Sequence, residues 1–126
     1  MRIGELARRT GVAPRLLRYY EEQGLITAQR AENGYREYSE ADVAQVERVA
    51  GLVRAGMPTK LVRVVLDIEG IDSAELAATC TRNLAEQLAA ELAEIEGRIA
   101  CLAKSRDTIH RFLTQTRHSS VLGAVD

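Results

Sequence analysis

Residues 3–26, IGELARRTGVAPRLLRYYEEQGLI, constrain this chain more than any other stretch. They read as two short helices joined by a tight turn. Ile3, Leu6 and Ala7 share one face of the first, at the spacing of three and four that marks a helix. Gly11 follows the last helical residue, where glycine accepts the left-handed conformation that ends a helix. A second helix opens near Ala13-Pro14; proline is tolerated there because the first helical N–H has no partner in any case. Leu16 and Leu17 are its packing residues, Arg15, Arg18 and Tyr19 or Tyr20 point elsewhere, and Gly24 closes it. This is the pattern of a helix-turn-helix, whose second helix can lie in a DNA major groove. Taken alone, the stretch fits an ordinary α-hairpin of a globular core equally well.

The continuation separates the two readings. Residues 27–42 run TAQRAENGYREYSEAD. Asn33-Gly34 is a strong hairpin-turn signal, since both positions accept positive φ. Extended segments are expected on either side, around Ile26–Ala28 and Tyr35–Tyr38. A hairpin directly after such a helix is a wing; Tyr35, Arg36 and Tyr38 are expected on it, and Arg and Tyr suit phosphate and groove-edge contacts. IGELARRTGV, LLRYYEEQGLI and NGYREYSEADV, in this order and at this separation, closely resemble the mercury-resistance-regulator (MerR) family of bacterial transcription regulators over residues 2–68. The lack of a signal-peptide core and of a disulfide framework leads to the expectation of a cytoplasmic protein, and the resemblance implies a homodimer on double-stranded promoter DNA. It binds a palindromic site within an over-long promoter spacer and distorts the DNA for RNA polymerase on the same promoter. It also implies a second wing after Met57-Pro58, with Thr59, Lys60 and Arg63 near the DNA backbone. The DNA-binding residues expected are Arg15, Arg18, Tyr19, Tyr20, Tyr35, Arg36, Thr59 and Lys60, with Tyr20 open to a packing role instead.

Charge distribution agrees with this polarity. The net charge is only −1. Residues 1–36 nevertheless carry seven Lys and Arg against four Asp and Glu, and residues 69–126 carry six against nine. The basic end coincides with the expected DNA-reading end, as phosphate binding requires, and the motif rather than this small difference decides the reading. Four of the five aromatics are tyrosines within residues 19–38, so aliphatic side chains must hold the rest together. No apolar run approaches a membrane span, and the N-terminus lacks the apolar core of a signal peptide.

Ser39 reads as a helix N-cap, with Asp42 three residues on completing a capping box. The helix from Glu40 to about Ala55 presents Val43, Val46, Val49, Ala50 and Val53, and Gly56 stops it. The next helix buries Leu61, Val62, Val65 and Leu66. Residues 67–73, DIEGIDS, read as a linker, with Ser73 capping a final helix that nothing interrupts until about Thr114. Leu88, Leu92, Ile95, Ile99, Leu102, Ile109 and Leu113 form a heptad seam on it, with Arg106 as one charged position. A helix of some forty residues would be about 60 Å long, too long for the small N-terminal domain to cover. A second copy is the simplest partner, and the family pattern is an antiparallel pair. The expected fold is thus mainly α: a winged helix-turn-helix with a small β-hairpin wing over 1–70, a coiled-coil dimerisation helix over 71–116, and a short tail over 117–126.

Enzymatic chemistry is not expected. The sequence holds no phosphate loop, nucleophile elbow or zinc-ligand spacing, and no cofactor is implied. The family's soft-metal sensors place paired cysteines just after the dimer helix, whereas residues 113–124, LTQTRHSSVLGA, contain none. Cys80 and Cys101 lie three heptads apart on the expected helix, about 30 Å, beyond disulfide reach. Antiparallel pairing would set Cys80 near the partner's residues 113–118, including His118. Three readings stay open: a regulator whose signal is not written in the sequence, a thiol-, electrophile- or metal-responsive sensor using Cys80 with His118 at the dimer junction, and a DNA-architectural adaptor with no ligand.

Overall fold

The computed structural model describes residues 1–70 and 73–124 and divides into two units, Met1–Thr79 and Cys80–Asp126. The first begins with α1 (Ile3–Thr10) and α2 (Pro14–Glu22), followed by the antiparallel hairpin of β1 (Gln29–Arg30) and β2 (Arg36–Glu37). The helices α3 (Glu40–Arg54), α4 (Thr59–Gly70) and α5 (Ser73–Thr79) complete it. Leu6, Leu17, Val46, Val49 and Val62 are its fully buried side chains. Val12, Tyr20, Leu25, Ile26 and Tyr38 join the same cluster. Each such aliphatic side chain removed from water contributes about 1.5–3 kcal/mol. The core is thus the shared inner face of α1, α2, α3 and α4, and it holds the turn between α1 and α2 against α3.

Local signals locate most of these elements. Gly11 is left-handed at φ 72° and donates its N–H to the Ala7 carbonyl at 2.9 Å. Pro14 is the first residue of α2. Ser39 caps α3 through the Asp42 N–H, and the Asp42 carboxylate accepts the Ser39 N–H at 2.7 Å.

The hairpin differs from expectation. Leu25 and Ile26 are core residues and do not pair, so β1 starts only at Gln29. Gly34 is left-handed at φ 84° while Asn33 is not. Ala31 accepts the Gly34 N–H at 2.9 Å and donates to the Tyr35 carbonyl at 2.8 Å. Asn33 uses its side chain, Oδ1 accepting the Tyr35 N–H at 3.1 Å. The connection is therefore a longer loop with one left-handed glycine.

The expected linker at 67–73 is also partly helical, because α4 runs through Gly70. Arg48 on α3 holds the last turn of α4 by donating to both Glu69 oxygens, at 3.1 and 2.6 Å. Ile71 and Asp72 lie outside the described residues, and Ser73 is the first residue of α5.

The second unit consists of α6 (Arg82–Thr114) and a 3₁₀ segment (Ser119–Ala124) that packs on its end. An unbroken helix from Ser73 does not form. The chain leaves helical geometry at Cys80–Thr81, and the extended Thr81 accepts the Leu84 N–H on its hydroxyl at 3.1 Å. A threonine that can satisfy an orphan N–H in this way favours a new N-terminus over continuation. The long helix therefore has 33 residues, about 50 Å. Cys80 is off it, and the three-heptad register between Cys80 and Cys101 falls away.

Candidate nucleic-acid interface

The second helix of the pair, α2, is set by its inner face. Leu17 is fully buried and Tyr20 is 4% exposed. The turn before it is tied by Thr10, whose hydroxyl donates to the Leu6 carbonyl at 2.8 Å and accepts the Val12 N–H at 3.3 Å. The outer face carries Arg15, Arg18 and Tyr19, all exposed. Neither arginine makes an ion pair among the described residues. Leu16, expected to pack, is 43% exposed on the flank of α2.

The hairpin stands beside the C-terminal turn of α2. Arg36 donates its Nε to Glu21 at 2.9 Å, joining β2 to α2. Tyr35 is exposed, and the Arg2 guanidinium stacks 4.3 Å from its ring centre, within cation–π range. The base of the hairpin is pinned by the main chains of Met1 and Tyr38, which exchange two hydrogen bonds of 2.7 Å. Burial holds the Tyr38 hydroxyl above the usual tyrosine range. Lys60 is exposed and Thr59 half-buried in the first turn of α4. Arg63, one turn on, reaches the end of α2, where its Nη1 would lie 2.7 Å from a Cβ at Gly24. That glycine is left-handed at φ 73°, so it serves both the turn and the close approach of Arg63.

This geometry matches a known family. The model for the MerR HTH family of regulatory proteins fits residues 1–68. The chain belongs to the MerR family. It is 32% identical over 124 residues to the HTH-type transcriptional regulator ZntR of Escherichia coli K12, covering 95% of this chain and 85% of that one. A putative MerR-family transcriptional regulator from Listeria monocytogenes shares the fold at TM-score 0.62 and 24% identity, over 98% of this chain and 92% of the other. HiNmlR, a MerR-family regulator lacking the sensor domain and solved bound to promoter DNA, aligns at TM-score 0.54 and 22% identity, over 79% and 78%. This MerR-family chain is a DNA-binding transcriptional regulator.

Of the residues expected at the DNA, Arg15, Arg18 and Tyr19 share the outer face of α2, while Tyr35 and Arg36 lie on the hairpin. Tyr20 is a correction: it points into the core beside Leu17, one turn earlier on the same face. Arg2 carries no local signal in the sequence, and only the fold brings it to Tyr35; Arg63, expected near the DNA backbone with Thr59 and Lys60, lies against Gly24.

On α6, Leu92, Ile99, Leu102 and Ile109 are 55%, 61%, 68% and 59% exposed. Leu88, Ile95 and Leu113 are half-buried. Phe112, outside the expected seam, is 65% exposed beside Ile109, and its spacing of three was the available sign. Cys80 and Cys101 are exposed. Cys80 precedes α6 and His118 follows it, so the helix separates them in one chain. Among the described residues no three His, Cys, Asp or Glu side chains gather as a metal site.

Proposed function

We propose that this chain acts as a homodimer that binds an inverted-repeat promoter site, inserts α2 of each copy into successive major grooves and holds the flanking backbone with the hairpin. The observation that carries the reading is the outer face of α2: Arg15 and Arg18 stand free beside Tyr19 while the inner face is fully committed to the core. The exposed apolar stripe of α6 supports pairing, since this 33-residue helix has no buried residue and, among the described residues of its unit, only the 3₁₀ segment packs on its end. Antiparallel association of two such helices would place two α2 helices about a twofold axis. Contacts from Tyr35, Arg36, Thr59 and Lys60 on either side of α2 would offset the cost of bending and untwisting the DNA. By its resemblance to the family, the distorted site is a promoter spacer read by RNA polymerase in the cytoplasm. No helix among the described residues is long and apolar enough to cross a membrane.

Footprinting on the promoter region of its own gene tests this. Protection centred between the two promoter elements, symmetric about one point, is the expected result. Protection confined to sequences outside the spacer contradicts it.

A further inference from the structure

We infer that Glu21 is a positioning residue for DNA recognition, holding the Arg36 guanidinium by its Nε edge so that the opposite edge faces a DNA phosphate. The inference rests on the proposed role of Arg36 as a backbone contact. Both Glu21 carboxylate oxygens accept from the same Arg36 nitrogen, Nε, at 2.9 and 3.2 Å. Arg36 therefore keeps Nη1 and Nη2, and neither makes a hydrogen bond among the described residues. A guanidinium fork is planar and rigid, so fixing one edge fixes the direction of the other. The Glu21 side chain is only 22% exposed and the Arg36 side chain 44%. The anchor is thus the shielded partner and the cation the accessible one.

The pair rims an open surface groove of about 280 Å³, lined also by Gly24, Thr27, Ala28 and Arg30. That leaves an approach for a backbone phosphate beside the end of α2. A carboxylate this close to DNA would otherwise repel it. Its placement is productive only if the orientation it gives Arg36 outweighs that repulsion.

The test is a double-mutant cycle with full-length protein and the tightest-binding duplex recovered from a random DNA pool. Arg36→Ala should weaken binding and lower the salt slope by about 0.9. Glu21→Gln should weaken binding about five- to tenfold, within the coupling seen between contacting groups. Added to Arg36→Ala, it should cause no further loss, and its own thermal midpoint should fall by no more than a few degrees, as for the loss of one ion pair at the surface of the core. Binding by Glu21→Gln that is unchanged or tighter overturns the inference. An equal loss from Glu21→Gln in both backgrounds overturns it too, because Glu21 would then act without Arg36. If Arg36→Ala alone leaves affinity and slope unchanged, the phosphate role of Arg36 fails and the inference falls with it.

Discussion

Adjacent tyrosines divide the work of α2. Side chains one position apart point about 100° apart on a helix, so Tyr19 and Tyr20 cannot both face outward. Sequence spacing leaves the choice open, and Leu17 decides it by placing Tyr20 one turn on along the buried face. Arg18 follows as an outward residue. Replacing Arg18 by Ala should weaken DNA binding and reduce the salt slope by about 0.9, measured by titration across a series of salt concentrations. An unchanged slope would remove Arg18 from the phosphate contacts. Ion pairs across the fold were not legible at all, because their partners are distant in sequence. Arg9 donates to Glu40 at 2.7 Å, and that hydrogen bond and charge hold Glu40 below its ordinary value of 4.5. Arg48 lowers Glu69 in the same way. A carboxylate with a lowered folded pKa binds fewer protons in the native state than in the unfolded chain. Its contribution is therefore present above about pH 4.5 and is lost as pH falls through the folded value. Thermal midpoints should drop as pH falls below about 4.5, less steeply in the Glu40→Gln, Glu69→Gln double variant. Equal pH dependence in both proteins would show that these pairs contribute nothing.

At the scale of elements, punctuation decided what could be read. Gly11, Pro14, Gly24, the Ser39–Asp42 box and Gly56 mark their boundaries by conformational demands that no tertiary contact is needed to reveal. The break at Cys80–Thr81 has no proline or glycine, and only a capping threonine announces it. Such a residue is weak evidence in sequence because threonine is also tolerated inside helices. The first hairpin strand was misplaced for the opposite reason: Ile26 looks extended but belongs to the core, whereas β2 falls within the expected Tyr35–Tyr38. Thr81→Ala removes the acceptor for the Leu84 N–H and should cost about 1 kcal/mol locally. Amide exchange at Leu84 should quicken, while residues near the middle of α6 keep their protection. Unaltered exchange at Leu84 would mean that the cap does not fix the start of α6.

For the molecule as a whole, α6 is the element least explained by its own chain. Its heptad spacing was legible because apolar residues every three and four positions need no knowledge of the fold. Which of them stay open was not, since Leu88, Ile95 and Leu113 find cover within one copy. Ile99, 61% exposed, is therefore the cleaner place to test pairing. Ile99→Asp should leave the fold of a single copy intact by circular dichroism. It should shift the protein to monomer in sedimentation and weaken DNA binding at least about tenfold, as expected when a charge is left unpaired in an apolar interface. A dimer of unchanged stability would mean that the stripe faces something else. Selection of binding sites from a pool of random duplexes tests paired reading heads most directly, because it presupposes neither a promoter nor a signal. The enriched sequence should be an inverted repeat, its half-sites related by a twofold axis and spaced to suit two major-groove helices. Enrichment of a single half-site, a direct repeat or no common sequence would contradict it.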